Sequence, residues 1–337
     1  LTVYGMTHVV LVYALLSRIL SVLCSVIPVI FFNTGVPGAI IGLTLASFGS
    51  FLVGMRLLTL PFKDVTRRKT DLTTADILRF SMPVFSSSLY GFVIGSASQF
   101  FVSRYLGVEN FAMFANGYRE LPIAGIVIGA VAGILLPEFS RMTKGGSDSK
   151  QYLVLWKNVV LKSAAVIYPF SLYCCIFAPE IMGVLYGTVY REAADLFRIV
   201  TIINLVRIVP YGPIMFALGK GKIFAKAHLV TALLLLGLDF LCVTFFPSLS
   251  AIAIIATTTT VFCLVVLMVS TARLLNTGLL GLMPWKSMFK ILSVSTFSCF
   301  LGSCAVNLIG VTRDFPALLS GFLISIVIYL PLSYIAG

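Results

Sequence analysis

Four places in an otherwise apolar chain carry an ionisable side chain where hydrocarbon is expected: Arg18, the adjacent Arg119 and Glu120, Arg207, and Asp239. A charge at the centre of a bilayer costs roughly 2.5–3.5 kcal/mol on insertion scales, so each must face a partner, water or a ligand. At a rise of about 1.5 Å per residue, Arg18 lies about 15 Å into its apolar run. Arg119 and Glu120 lie about 10 Å from the outer end of theirs, and Arg207 is about 16 Å or more from either interface. Asp239 falls in the outer half of its run. Helical neighbours three or four positions away could neutralise these groups locally. Arg18 has Ala14 and Ser21 there, Arg207 has Asn204 and Tyr211, and Asp239 has Leu235 and Cys242, so none finds an opposite charge on its own helix.

The chemistry open to such groups is the handling of ions or anionic ligands. Arg18 can snorkel toward the interface, and Arg119 and Asp239 can pair with opposite charges on other helices. Arg207 has two inward options: a structural pair with a carboxylate such as Asp239 or Glu120, or a cationic subsite for an anionic substrate. Pro210 and Pro213 loosen its helix and free backbone carbonyls at the same depth. Gln99 and Asn116 are polar but cheap, and suit hydrogen-bonded packing or a cavity wall. The cluster Arg191, Glu192, Asp195 and Arg198 reads instead as a solvated helix start, with Arg191 reaching Asp195. Glu138 and Glu180 fall at span ends.

Catalysis has no visible apparatus. The chain lacks a Ser–His–Asp set, metal-ligand spacing, carboxylates paired at catalytic separation and a phosphate-cradling glycine loop. The expectation is a protein that is not an enzyme, with no metal and no cofactor. The seven cysteines sit in apolar segments and read as small buried hydrophobes. His8 and His228 stand near helix starts without acidic or cysteine companions.

The elements that must position these residues are membrane helices. Charged residues make up 11% of the chain and the mean hydropathy is +1.05, whereas a soluble domain carries roughly 25% charge. The fold class is an all-α polytopic membrane protein with about ten transmembrane helices. Apolar runs bounded by glycine, proline and charge place spans near 8–32, 36–60, 77–105, 112–139, 154–177, 193–218, 223–246, 249–274, 286–309 and 315–335. Asp76 to Lys144 organises the rest. Pro83 is expected to bend or unwind the first helix of that pair, and Gly91/Gly95 and Gly125/Gly129/Gly133 are spaced for close helix packing.

Basic residues alternate between connections. Lys63, Arg67, Arg68, Lys69 and Arg79 fall on one side, with Arg141, Lys144, Lys150, Lys157 and Lys162. Lys220, Lys222 and Lys226, then Arg273, Lys286 and Lys290, follow on that side too. The alternate connections hold little beyond Arg104, Arg191 and Arg313. By the positive-inside rule the basic connections and both ends of the chain are cytoplasmic. The net charge of +12 is then topology, and a nucleic-acid partner is unnecessary.

Several stretches resemble the polysaccharide (lipid-linked oligosaccharide) flippases of the multidrug/oligosaccharidyl-lipid/polysaccharide exporter superfamily. DILRFSMPVFSSSLYGFVIGSASQFFVSRYLG with ENFAMFANGYRELPIAGIVIGAVAGILLPEFSRM is similar to the helix pair that opens that family's second lobe. FAPEIMGVLYGTVYREAADLFRIV and ALGKGKIFAKAHLVTALLLLGLDFLCVTFFPSLSAIAIIATTT resemble the segments that follow, and NTGVPGAIIGLTLASFGSFLVG resembles the end of the first lobe. The resemblance implies residues 1–61 as the last two helices of an N-terminal lobe and 62–76 as a basic cytoplasmic linker. It implies 77–274 as a complete six-helix lobe and 286–337 as two additional helices. With Leu1 as the first residue, it also implies that the chain is the C-terminal part of a longer transporter.

The implied function is translocation of a lipid-linked glycan across the cytoplasmic membrane by alternating access, driven by an ion gradient or the membrane potential. The partners would be that glycan, membrane lipids and a coupling ion. Arg207, Arg119 and Arg18 would meet the anionic pyrophosphate or acidic sugars, with Gln99, Glu120 and Asp239 as further cavity residues. The alternatives are a multidrug cation antiporter, whose cavity should favour carboxylates, and a non-transporting membrane scaffold. A membrane-embedded glycan polymerase would need a larger outward loop.

Overall fold

A computed structural model describes residues 6–62, 73–120, 122–310 and 314–336, and these are helical with no strand among them. Leu1, the loop basics Lys63, Arg67, Arg68 and Lys69, and Arg313 lie outside the described residues. The chain divides into two units, Leu1–Thr73 and Thr74–Gly337.

The first unit is a hairpin of α1 (Thr7–Phe32) and α2 (Gly35–Leu58) followed by the 3-10 turn Leu60–Phe62. Asn33 ends α1 in the left-handed region at φ 51°, a conformation asparagine tolerates better than most residues. The Thr34 hydroxyl donates to the Pro28 carbonyl at 2.8 Å, closing the turn. Gly42 on α2 faces the Cys24 carbonyl of α1, where any side chain would collide with backbone. Tyr13 ties the other end, donating to the Ser50 carbonyl at 2.9 Å. Among the described residues of this unit only Gly42 and Ala46 are buried. Helices apolar on nearly every face need hydrocarbon or other helices around them.

The second unit begins with α3 (Thr74–Tyr105), α4 (Val108–Gly117), α5 (Pro122–Lys144) and α6 (Ser149–Ile176). Then come α7 (Ala178–Tyr186), a 3-10 stretch Thr188–Ala193, and the short helices α8 (Ala194–Thr201), α9 (Ile203–Val206) and α10 (Gly212–Ala217). The chain closes with α11 (Gly221–Phe245), α12 (Leu249–Leu274), α13 (Leu279–Leu282), α14 (Trp285–Ile309) and α15 (Asp314–Ala336). α3 lies along α11, α11 on α12, α6 along α14, and α14 on α15. Phe114, Phe139, Trp156, Phe197, Met215 and Ile252 are fully enclosed and form the centre of the core.

Nine helices among the described residues are long and apolar enough to cross a membrane: α1, α2, α3, α5, α6, α11, α12, α14 and α15. The run 193–218 is not one continuous helix. It is α8, α9 and α10, separated by a non-helical link from Arg207 to Tyr211. Pro210 lacks the N–H a helix would use and clashes with the preceding turn, while Pro213 fits the first turn of α10. The run 112–139 is likewise divided, because α4 ends at Gly117 and Pro122 opens α5. Arg119 and Glu120 therefore sit in a link rather than inside a helix. Pro83 does not unwind its helix, since α3 stays helical through it.

The glycine expectation is also corrected. A Cβ on Gly91, Gly95, Gly125, Gly129 or Gly133 would meet nothing within 4 Å. Close small-residue packing occurs instead between α14 and α15, where a side chain on Gly302 would strike Ser325 and the Gly321 carbonyl. Glycine spacing shows that a close approach is permitted, and the rest of the packing decides whether it occurs.

Candidate functional site

The second unit gathers its deep polar residues where α3, the α4–α5 link, the break after α9, α11 and α12 meet. Arg207, at the C-terminus of α9, forms an ion pair with Glu120 of the α4–α5 link. Its Nη2 also donates to Asn204 Oδ1 at 3.3 Å. The two side chains remain 31% and 21% exposed, and the Nε of Arg207 is buried without a hydrogen-bond partner among the described residues. Both members of the pair stand at helix interruptions. A helix end leaves backbone polar groups unsatisfied and loosens side-chain crowding, so charge can be held there together with some solvent access.

Asp239 is placed differently. It is 0% exposed within the continuous helix α11. Ser98 of α3 donates to its Oδ2 at 2.7 Å, and its Oδ1 has no partner among the described residues. Tyr118 lies between the two centres. It shares a hydrogen bond of 3.0 Å with Thr257 of α12, packs against Ala97 and Leu235, and is within electrostatic reach of Glu120, Asp239 and Arg207.

Of the six residues singled out in the sequence, Arg207, Glu120 and Asp239 come together around Tyr118. Gln99 follows Ser98 on α3, is half-buried, and continues the Gly91–Gly95 row that no atom covers. Arg119 is exposed beside Glu120, with no ion pair among the described residues. Arg18 belongs to the first unit, on an exposed face of α1. The structural-pair option for Arg207 is realised in this state, and with Glu120 rather than Asp239. The expected Arg191–Asp195 contact is replaced by two others. Arg191 pairs with Asp314 at the start of α15, and Arg198 reaches Asp195 at 2.8 Å.

Sequence reasoning missed Ser98, Tyr118 and Thr257, ordinary residues whose role comes from what faces them. It also missed a groove between α6, α14 and α15. One part, about 480 Å³, carries Lys162, Ser287, Lys290 and Ser333. The other, about 490 Å³, is lined by apolar groups such as Pro169, Phe170, Phe322 and Ile326. Ala165, Tyr329 and Leu330 line both, and where the two parts meet the Tyr329 hydroxyl donates to the Ala165 carbonyl at 2.8 Å. The only signal in the sequence was Lys162 and Lys290, which read equally well as topology.

Residues 6–195, more than half of the chain, match the family described as polysaccharide biosynthesis protein. A search of curated proteins gives no match. Among solved structures the chain is similar to one titled lipid II flippase MurJ, inward closed conformation, with a TM-score of 0.61 and 16% identity. The alignment takes in 95% of this chain but spans 65% of that structure's length, so the likeness is one of fold.

Proposed function

The chain belongs to the polysaccharide biosynthesis protein family, and from that membership we propose that it is a membrane transporter that flips a lipid-linked glycan precursor between leaflets. The physical task is to move a hydrophilic glycan and its anionic diphosphate through hydrocarbon while the lipid tail stays in the bilayer. Broken helices at mid-membrane suit it, because irregular backbone is tolerated where it lines a cavity. The observation that carries the reading is the break at Arg207. There a guanidinium held by Glu120 keeps a buried Nε–H without a partner among the described residues, which an incoming anion can satisfy.

In this mechanism Arg207 exchanges the Glu120 carboxylate for the substrate diphosphate. A planar guanidinium is suited to that exchange because it can offer a diphosphate two parallel donors, where Glu120 now takes only Nη2. The exposed Arg119 supplies a second positive charge beside the link. Gln99 and the uncovered glycine row of α3 form wall that a sugar can slide along. The groove between α6, α14 and α15 takes the lipid tail, its lysines lying toward the headgroups. Alternating access would expose the Arg207 centre to each side of the membrane in turn.

A multidrug cation antiporter of the same superfamily would want carboxylates free to meet a cation. Glu120 is engaged by Arg207 and Asp239 is enclosed, so the glycan reading is preferred. Orientation follows the basic loops: Lys144, Lys222 and Lys286 lie in the cytoplasm and Gly107, Gly187 and Ser248 outside, in the cell membrane. Single cysteines at these positions in a cysteine-free background should label from opposite sides.

The deciding experiment uses the full-length protein in proteoliposomes with a fluorescent lipid-linked oligosaccharide, scoring flipping apart from membrane abundance. Arg207→Gln should abolish flipping and Arg207→Lys should retain part of it. Normal flipping by Arg207→Gln at normal abundance would remove Arg207 from the mechanism.

A further inference from the structure

A second cationic cavity lies away from Arg207, at the end where α3 and α11 both begin. It has a volume of about 470 Å³ and is lined by Arg79, Met82, Ser86 and Tyr90 of α3 and by Lys222 and Lys226 of α11, with Leu229 deeper. The spacing along each helix is three or four residues, so each helix presents one continuous stripe to the cavity. None of the three cations has an ion-pair partner among the described residues. Asp76, one turn before Arg79 on α3, does not line the cavity.

Two further features favour an anion. The start of α11 has no side-chain cap, because Lys220 at the cap position makes no such bond. Ile223 N–H already donates to the Lys220 carbonyl at 2.9 Å, so what the helix start adds at the same rim is the positive end of its dipole. The lining is also graded with depth. Arg79 and Lys222 stand at the helix starts, hydroxyls of Ser86 and Tyr90 follow, and Met82 and Leu229 supply apolar wall. From Arg79 to Tyr90 the stripe runs about 16 Å along the helix. A soluble anion has no use for that apolar length, whereas the first methylenes of a lipid do.

We propose that this cavity is a docking site for the diphosphate headgroup of a prenyl-type lipid, distinct from the Arg207 centre. Charge decides between lipid classes. Three cations and a helix start match a multiply charged diphosphate, while a phosphodiester headgroup carries a single charge and leaves most of them uncompensated. The site rests on the transporter reading for its purpose, which is to collect the carrier lipid at the membrane rim before it reaches Arg207. Its existence is testable without any transport.

Equilibrium dialysis of the full chain in neutral detergent would use labelled farnesyl diphosphate as the probe, with inorganic pyrophosphate and phosphatidylglycerol as competitors. Farnesyl diphosphate should bind, and pyrophosphate should compete more weakly because it lacks the apolar part. Each of Arg79→Gln, Lys222→Gln and Lys226→Gln should weaken binding about fivefold, and the three together roughly a hundredfold. The charge-keeping set Arg79→Lys, Lys222→Arg and Lys226→Arg should stay near wild type, which separates lost charge from lost folding. Neutralising Lys144, Lys150 and Arg273, as exposed as the three cavity cations but outside the cavity, should leave binding intact. Equal loss in that control, or wild-type binding by the neutral triple, would overturn the site. So would competition by phosphatidylglycerol as strong as by the probe itself. If Arg207→Gln removes the binding and the neutral triple does not, the diphosphate sits at Arg207 and the rim site is wrong. If flipping is never observed yet the triple alone loses the probe, the site stands and the transporter reading falls.

Discussion

Arg207 and Asp239 are both ionisable groups inside an apolar bundle, and the protein holds them in opposite ways. Arg207 sits where the helix has been broken by its own sequence, next to a second break that delivers Glu120. Asp239 sits inside an intact helix pair and faces one hydroxyl, from Ser98. The first arrangement is an opposite-charge pair with partial exposure. The second is an enclosed carboxyl with a neutral partner and one oxygen left over. A break provides room, water and backbone dipoles, so it can host a charge that later changes partners. An intact helix pair offers only what its side chains carry, so its charge is fixed in place by packing.

This contrast can be broken by mutation, and the largest effect belongs to the ion pair. Glu120→Ala or Arg207→Ala leaves one charge without its partner. Each should lower stability by about 3 kcal/mol, the lower end for buried pairs because this one is partly exposed. Thermal unfolding in detergent measures it, and exchanging the two residues should recover much of the loss. If the single variants unfold like wild type, the breaks hold the charges without the pair.

A smaller effect is expected at Asp239. Asp239→Leu strands the Ser98 hydroxyl and should cost about 1–2 kcal/mol. Asp239→Asn keeps an acceptor for Ser98 and removes the buried charge, so it should remain within about 1 kcal/mol of wild type. A loss at Asn equal to that at Leu would show that the charge itself is needed there, and the contrast with Arg207 would collapse. The smallest effect is reserved for the exposed surface. Asp195→Asn, which removes the partner of Arg198 at 2.8 Å, should change unfolding by no more than about 0.5 kcal/mol. A larger change would mean that solvent screening is weaker at this end of the bundle than the exposure suggests.

The first and second units were not equally legible. α1 and α2 follow directly from two apolar runs separated by Asn33 and Thr34, and hydropathy alone places them. In the second unit the long helices were legible for the same reason, but the run 193–218 was apolar enough to pass for one continuous helix. Pro210 and Pro213 were visible as a disturbance, and the structure makes them a full interruption. Arg119 and Glu120 were read at helical depth, whereas Gly117 and Pro122 bracket them into a link. In both cases the local breaker was present in the sequence and the length of the apolar run outweighed it.

Taken alone, the sequence determined that the chain is a bundle of membrane helices, where most of them run, and which charges need a partner, water or a ligand. Those properties are sums over neighbouring residues, since hydropathy, helix periodicity and proline chemistry all act within a few turns. Which partners the charges take was decided by the tertiary structure. Glu120 reaches Arg207 across 87 residues, Ser98 reaches Asp239 across 141, and Arg191 turns from nearby Asp195 to Asp314, 123 positions on. The glycines of α3 and α5 stay uncovered while Gly302 is pressed against α15, although their spacing looks equally suited to packing. Such choices depend on how whole helices dock around Trp156 and its neighbours, and no window along the chain contains that information.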